Sequence, residues 1–127
     1  MIAAEEKKKI LLIDDDETHL STVENMLMSE YEIITAKSGT EALLVLYKGV
    51  VPNLVLLDIV MSEKDGWETY NRIRAITLLH EVPIAFFTSS NDEEEVEHVQ
   101  IAGAADFITK PYNPEELIKR VKAIISK

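Results

Sequence analysis

Asp14 and Asp15 follow the apolar run Ile10–Ile13, Asp58 follows Leu54–Leu57, Thr88 follows Ile84–Phe87, and Lys110 follows Phe107–Thr109. Short apolar runs bounded by polar residues read as strands buried in a parallel sheet. Ligands of open parallel sheets bind just beyond the carboxyl ends of the strands. The chain is therefore expected to gather three carboxylates, a hydroxyl and an ammonium at one rim. Carboxylates crowded this way disfavour full ionisation unless a cation intervenes. Mg²⁺ suits them, since it prefers oxygen ligands, keeps several waters, and takes one or two carboxylates together with a phosphate oxygen. A lysine beside such a cluster neutralises charge and can hold a phosphoryl oxygen. Each residue alone has a plainer reading, as a helix cap, a backbone-bonded threonine or a solvated lysine. Their order, each after its own strand, is what points to phosphoryl chemistry.

The elements that must carry these residues alternate along the chain. Asp16 to Ser29 places Leu20, Val23 and Leu27 at helical spacing, with Asp16 and Glu17 as favourable charges at the helix start. Glu32–Ala36 reads as a second strand. Ser38 and Glu41 form a capping-box pattern for a helix expected to bury Ala42, Leu43, Leu46 and Tyr47. Gly66 supplies a flexible turn ahead of Trp67, Tyr70 and Ile73. Asn91 is the expected cap of a helix that turns Val96, Val99 and Ala102 inward and stops near Gly103. Asn113-Pro114 starts the last helix, with Leu117, Val121, Ile124 and Ile125 on its apolar face. His19, His80 and His98 fall in or beside these helices and are expected away from the rim. Five strands alternating with five helices imply an α/β, doubly wound (βα)5 sandwich, because parallel strands require crossover helices.

The 127-residue length fits one domain, with 1–9 as a lysine-rich lead-in and 10–127 as the folded unit. No apolar stretch reaches the ~20 residues of a membrane span, and Met1 to Lys9 lacks a signal-peptide core. Cytoplasmic residence is the expectation. The absence of cysteine excludes disulfides, thiolate metal sites and cysteine nucleophiles. A formal net charge of −10 argues against nucleic-acid binding through this chain.

With Asp14-Asp15, Asp58, Thr88 and Lys110 in this order, the chain resembles the receiver domain of two-component response regulators, the CheY-like superfamily. The resemblance runs from Ile10 to about Ile125. It implies a flavodoxin-like, five-stranded parallel sheet in the order 2-1-3-4-5. It also implies that Asp58 accepts a phosphoryl group from the phosphohistidine of a sensor histidine kinase or phosphotransfer protein. Asp15, Asp58 and the Val60 backbone carbonyl would ligate Mg²⁺, with Asp14 acting mainly through water. Lys110 would contact the phosphoryl group ahead of a cis bond to Pro111. Thr88 and Phe107 would form the switch that alters the surface seen by a downstream protein or an output domain. Such a domain assists its own phosphorylation and dephosphorylation without being an enzyme on other substrates. Three positions depart from the family pattern: Ser62 stands where proline is usual, Ser89 where alanine is common, and Phe107 in place of tyrosine.

A second reading comes from Asp14-Asp15-Asp16-Glu17-Thr18, which fits the Asp-x-Asp-x-Thr pattern of haloacid-dehalogenase-type phosphatases with Asp14 as nucleophile. Phe87-Thr88 and Lys110 would resemble that family's later motifs. No aspartate after Lys110 completes its metal site, however, and Asp58 would be left without a role.

Overall fold

The computed structural model describes residues 7–59, 66–76, 79–88, 103–109 and 112–126. Its strands are β1 (Lys9–Ile13), β2 (Glu32–Ala36), β3 (Leu54–Asp58), β4 (Ile84–Thr88) and β5 (Asp106–Thr109). They pair in parallel in the order β2-β1-β3-β4-β5, as the resemblance implies. The described helices are α1 (Glu17–Leu27), α2 (Gly39–Tyr47), α3 (Gly66–Arg74) and the C-terminal α4 (Pro114–Ile125). The helix expected between Asn91 and Ala102 lies outside the described residues. Gly103 takes φ +80°, a left-handed conformation that favours glycine.

The apolar runs become strands because alternate side chains must be buried on both faces of the sheet. Leu11, Ile13, Val55, Leu57, Ile84 and Phe86 join one packed cluster with residues of α2 and α3. Ile10, Leu12, Leu54, Leu56, Ala85 and Phe87 join a second cluster, with Leu20, Val23 and Leu27 of α1 and Leu117 and Val121 of α4. All five residues of β3 are buried, as befits the central strand. β1 begins one residue before the apolar run, at Lys9.

Local chemistry sets the helix starts. The Asp16 side chain accepts from the Thr18 and His19 amides, Ser38 from Glu41, and Asn113 from Glu115 and Glu116. Tyr47 departs from expectation, being 64% exposed. The buried arc of α2 runs through Gly39, Ala42, Leu43 and Leu46. At 3.6 residues per turn, Tyr47 lies roughly 90° from the centre of that arc. Trp67 is half-buried, its ring 4.8 Å from that of Phe86 and 6.0 Å from that of Tyr70.

Arg74 closes the far end of α3. Its Nη1 donates to the carbonyls of Val82 at 2.6 Å and of Leu79 and His80 at 3.3 Å. The guanidinium also lies 5.3 Å from the centre of the Tyr70 ring. One side chain thus fixes the turn that feeds β4. Arg74→Met should lower unfolding free energy by roughly 1.5–3 kcal/mol, the usual range for hydrogen bonds to a charged group. Arg74→Lys should recover little of it, because an ammonium cannot reproduce the planar fork. Urea melts provide the check, and an unchanged midpoint in Arg74→Met would remove this role.

Candidate functional site

Asp58 ends β3, a strand buried along its whole length, and is itself 7% exposed. β3 and β4 are in register there, with Asp58 opposite Phe87. The Ile59 amide donates to the Phe87 carbonyl at 3.1 Å, which carries the pairing one residue past the strand. On the other flank the Asp14 amide donates to the Ala36 carbonyl at 3.1 Å, holding the carboxyl end of β1 against β2. Asp14 is completely buried, whereas Asp15 is exposed. Each of Asp14, Asp15 and Asp58 offers a carboxylate oxygen, and these oxygens lie within 4.8 Å of one another. The expected acidic cluster forms, and a hard divalent cation fits it. Thr88 closes β4 opposite Thr109, so its backbone stands at the same rim. Val60, Lys110 and Pro111 lie outside the described residues, as do Ser62, Ser89 and His98.

Gly66 opens α3 ahead of Trp67, Tyr70 and Ile73, as expected, and has a role beyond that. Its amide donates to the Ile59 carbonyl at 2.7 Å. A Cβ at this position would stand 2.5 Å from the Asp58 carbonyl oxygen and 2.5 Å from the Ile59 Cα. Glycine is required because α3 begins in direct backbone contact with the strand that carries Asp58.

His19 corrects the expectation that the histidines avoid the rim. Its Nδ1 bonds to Asp14 Oδ2, and its Nε2 lies 2.7 Å from the Tyr112 hydroxyl. The Asp16 amide donates to Asp14 Oδ1 at 2.9 Å. Both oxygens of Asp14 therefore have protein partners. The ring stands edge-on to Phe87, with centroids 4.9 Å apart. The sequence did carry a signal for this, because His19, Val23 and Leu27 recur at four-residue spacing along the inward face of α1. His80 is exposed.

Tyr112 is half-buried, and its phenol is pushed up to about 12 from the ordinary 10.0, first by burial and then by the Asp14 charge. The unfolded chain gives up this proton first, so it binds fewer protons than the native state above pH 10. The contribution to stability is accordingly complete below about pH 10 and is lost as pH rises towards 12. Ultraviolet titration should show the Tyr112 phenol ionising well after the free-tyrosine range, and earlier in Asp14→Asn. A single transition near pH 10 would contradict this environment.

Phe107 is half-buried against the cluster that contains Phe86, its register partner on β4. Its strand is braced by Arg120 of α4, whose Nη1 donates to Asp106 Oδ1 at 3.0 Å and to the Phe107 carbonyl at 3.0 Å. The periodicity of α4 marks its apolar face and gives no sign of this brace.

The sequence pattern of the response regulator receiver domain matches residues 10–122. The alkaline phosphatase synthesis transcriptional regulatory protein PhoP of Bacillus subtilis is 36% identical over 102 residues, which cover 80% of this chain and 41% of that protein. The chain thus spans about two fifths of that relative. The fold superimposes on a two-component response regulator from Clostridium difficile with a TM-score of 0.86 at 30% identity, covering 95% of this chain and 98% of that one. It also matches the chemotaxis protein CheY4 of Vibrio cholerae with a TM-score of 0.87 at 28% identity, covering 93% and 98%. The phosphatase alternative finds no support. The family match and the strand order both favour the receiver, and Asp14 is buried behind its bonds to Asp16 and His19.

Proposed function

Because the chain belongs to the response regulator receiver family, whose members are phosphorylation-activated switches of two-component signalling, we propose that Asp58 is its phosphoacceptor. The observation that carries this is the meeting of three carboxylates at one rim, with Asp58 nearly buried at the end of the central strand. The donor is the phosphohistidine of a sensor kinase or phosphotransfer protein. An Asp58 carboxylate oxygen attacks phosphorus in line, the P–N bond breaks, and the departing imidazole keeps the electron pair and takes up a proton. Catalysis rests on positioning and charge neutralisation, with little covalent work for the protein.

Asp15, Asp58 and the Val60 carbonyl would hold Mg²⁺, with Asp14 reaching it through water. The ion supplies an electrostatic clamp for phosphoryl oxygens. Lys110, which directly follows β5, neutralises charge on the transferring group. Thr88 then hydrogen-bonds the new phosphoryl group, and Phe107 turns into the space that this movement leaves. The surface around β5 is repacked for a downstream protein or an output domain. This is a shift between two states, driven by contacts that exist in one of them. The domain acts on its own acceptor, works in the cytoplasm, and touches neither nucleic acid nor membrane through this chain.

The test is incubation with Mg²⁺ and acetyl phosphate. One acid-labile, hydroxylamine-sensitive phosphoryl group per chain is expected, and chelator should suppress it. An unlabelled protein that binds Mg²⁺ would overturn the proposal.

A further inference from the structure

His19 joins two parts of the rim that the proposed mechanism treats separately. On one side is Asp14, fully buried at the end of β1, whose other oxygen is held by the Asp16 amide. On the other is Tyr112, two residues past Lys110 and just ahead of the Asn113 cap of α4. The His19 side chain is 13% exposed and lies between them, bonded on both ring nitrogens. A carboxylate can only accept, so Nδ1–H donates to Asp14. In the neutral ring, Nε2 then accepts the Tyr112 hydroxyl proton. Phe87 fixes the plane of this arrangement, standing edge-on to His19 and 5.6 Å from the Tyr112 ring.

We infer that His19 is a positioning residue of the phosphorylation site: a strut that couples the Mg²⁺-binding carboxylates at the end of β1 to Tyr112 in the segment following Lys110. The inference rests on the receiver reading of Asp14, Asp15 and Asp58. Outer-shell partners of this kind hold a ligand set in place, and their loss typically weakens metal binding by about 10–100-fold. The strut has a second consequence. Because His19 is bonded to both Asp14 and Tyr112, removing the Tyr112 hydroxyl is expected to affect the metal site only while His19 is present.

Calorimetric titration of the unphosphorylated protein with MgCl₂ provides the test. His19→Leu is expected to weaken Mg²⁺ binding by up to about tenfold, the lower end of that range, because Asp14 itself reaches the ion through water. Tyr112→Phe should weaken it by about threefold in the native background and have no further effect in His19→Leu, a coupling read by the double-mutant cycle. His19→Asn places an amide donor near the position of Nδ1 but cannot reach Tyr112. It should restore most of the affinity lost in His19→Leu and be insensitive to Tyr112→Phe. Long-range ¹H–¹⁵N spectra should show the neutral His19 ring protonated on Nδ1.

Equal or tighter Mg²⁺ binding by a folded His19→Leu would overturn the inference, as would a Tyr112→Phe effect that persists without His19. Should His19→Leu fail to fold, Tyr112→Phe measured in the native and His19→Asn backgrounds decides the matter alone. A wild-type protein that binds Mg²⁺ but takes no phosphoryl group sinks the receiver reading. Normal labelling with no coupling sinks the strut alone.

Discussion

Asp58→Asn is expected to take no phosphoryl label at all from acetyl phosphate and Mg²⁺. An amide oxygen cannot form the acyl phosphate, and among the described residues no other combines a strand-end carboxylate with the position of Asp58 at the centre of the sheet. Asp14→Asn should keep the reaction but need more Mg²⁺, because it loses charge from the cluster and leaves the acceptor intact. The same substitution at Asp58 has a second expected result. In chelator it should melt at a higher temperature than the unsubstituted protein, since it removes one of three crowded carboxylates, and Asp58 itself is only 7% exposed. Mass spectrometry of the labelled protein and thermal melts in chelator measure the two effects. Retained labelling in Asp58→Asn with complete loss in Asp14→Asn would return the nucleophile to Asp14 and revive the phosphatase reading.

Gly66→Ala should be damaging out of proportion to the single methyl group it adds. The atoms that a methyl group would meet are backbone, the Asp58 oxygen and the Ile59 Cα, each at 2.5 Å. Neither can move aside as a flexible side chain would. Either α3 withdraws from the sheet, breaking the 2.7 Å bond from the Gly66 amide to the Ile59 carbonyl, or the end of β3 shifts. Overpacking of this kind costs about 1–3 kcal/mol, and more where backbone is involved. Urea unfolding should show the loss. Acetyl phosphate labelling should slow in the fraction that remains folded, because Asp58 would be displaced. A Gly66→Ala protein with native midpoint and native labelling rate would show that the contact relaxes at no cost.

Much of this structure could be read from the residues in order. The strands were legible because a parallel sheet buries both faces, and that condition imposes unbroken apolar runs such as Leu54–Leu57. The acidic cluster followed from placing aspartates at the ends of such runs. Features that depend on one element's exact rotation, or on two distant segments meeting, were not legible. Tyr47 fits the spacing of a buried face yet lies beyond its edge. Gly66 reads as a turn residue, and nothing in the sequence around it shows that two backbones come within touching distance there. His19 shares the inward spacing of Val23 and Leu27, but its second partner is 93 residues away along the chain. Periodicity reports which way a side chain faces; it carries no record of what comes to meet it.

The alternation of side chains along the sheet also bears on how such a domain can change over time. Leu11 and Leu12 are adjacent in the chain but belong to separate packed clusters, one against α2 and α3, the other against α1 and α4. Energetic coupling between substitutions follows shared packing partners. Changes on one side of the sheet are therefore largely blind to changes on the other, and each half of the interior can drift with the helices packed against it. That independence ends at the rim. Asp14 meets His19 from α1, and Asp58 meets Gly66 from α3. A lineage can rewrite either half of the interior separately, but it must keep both halves aligned on the same row of strand ends.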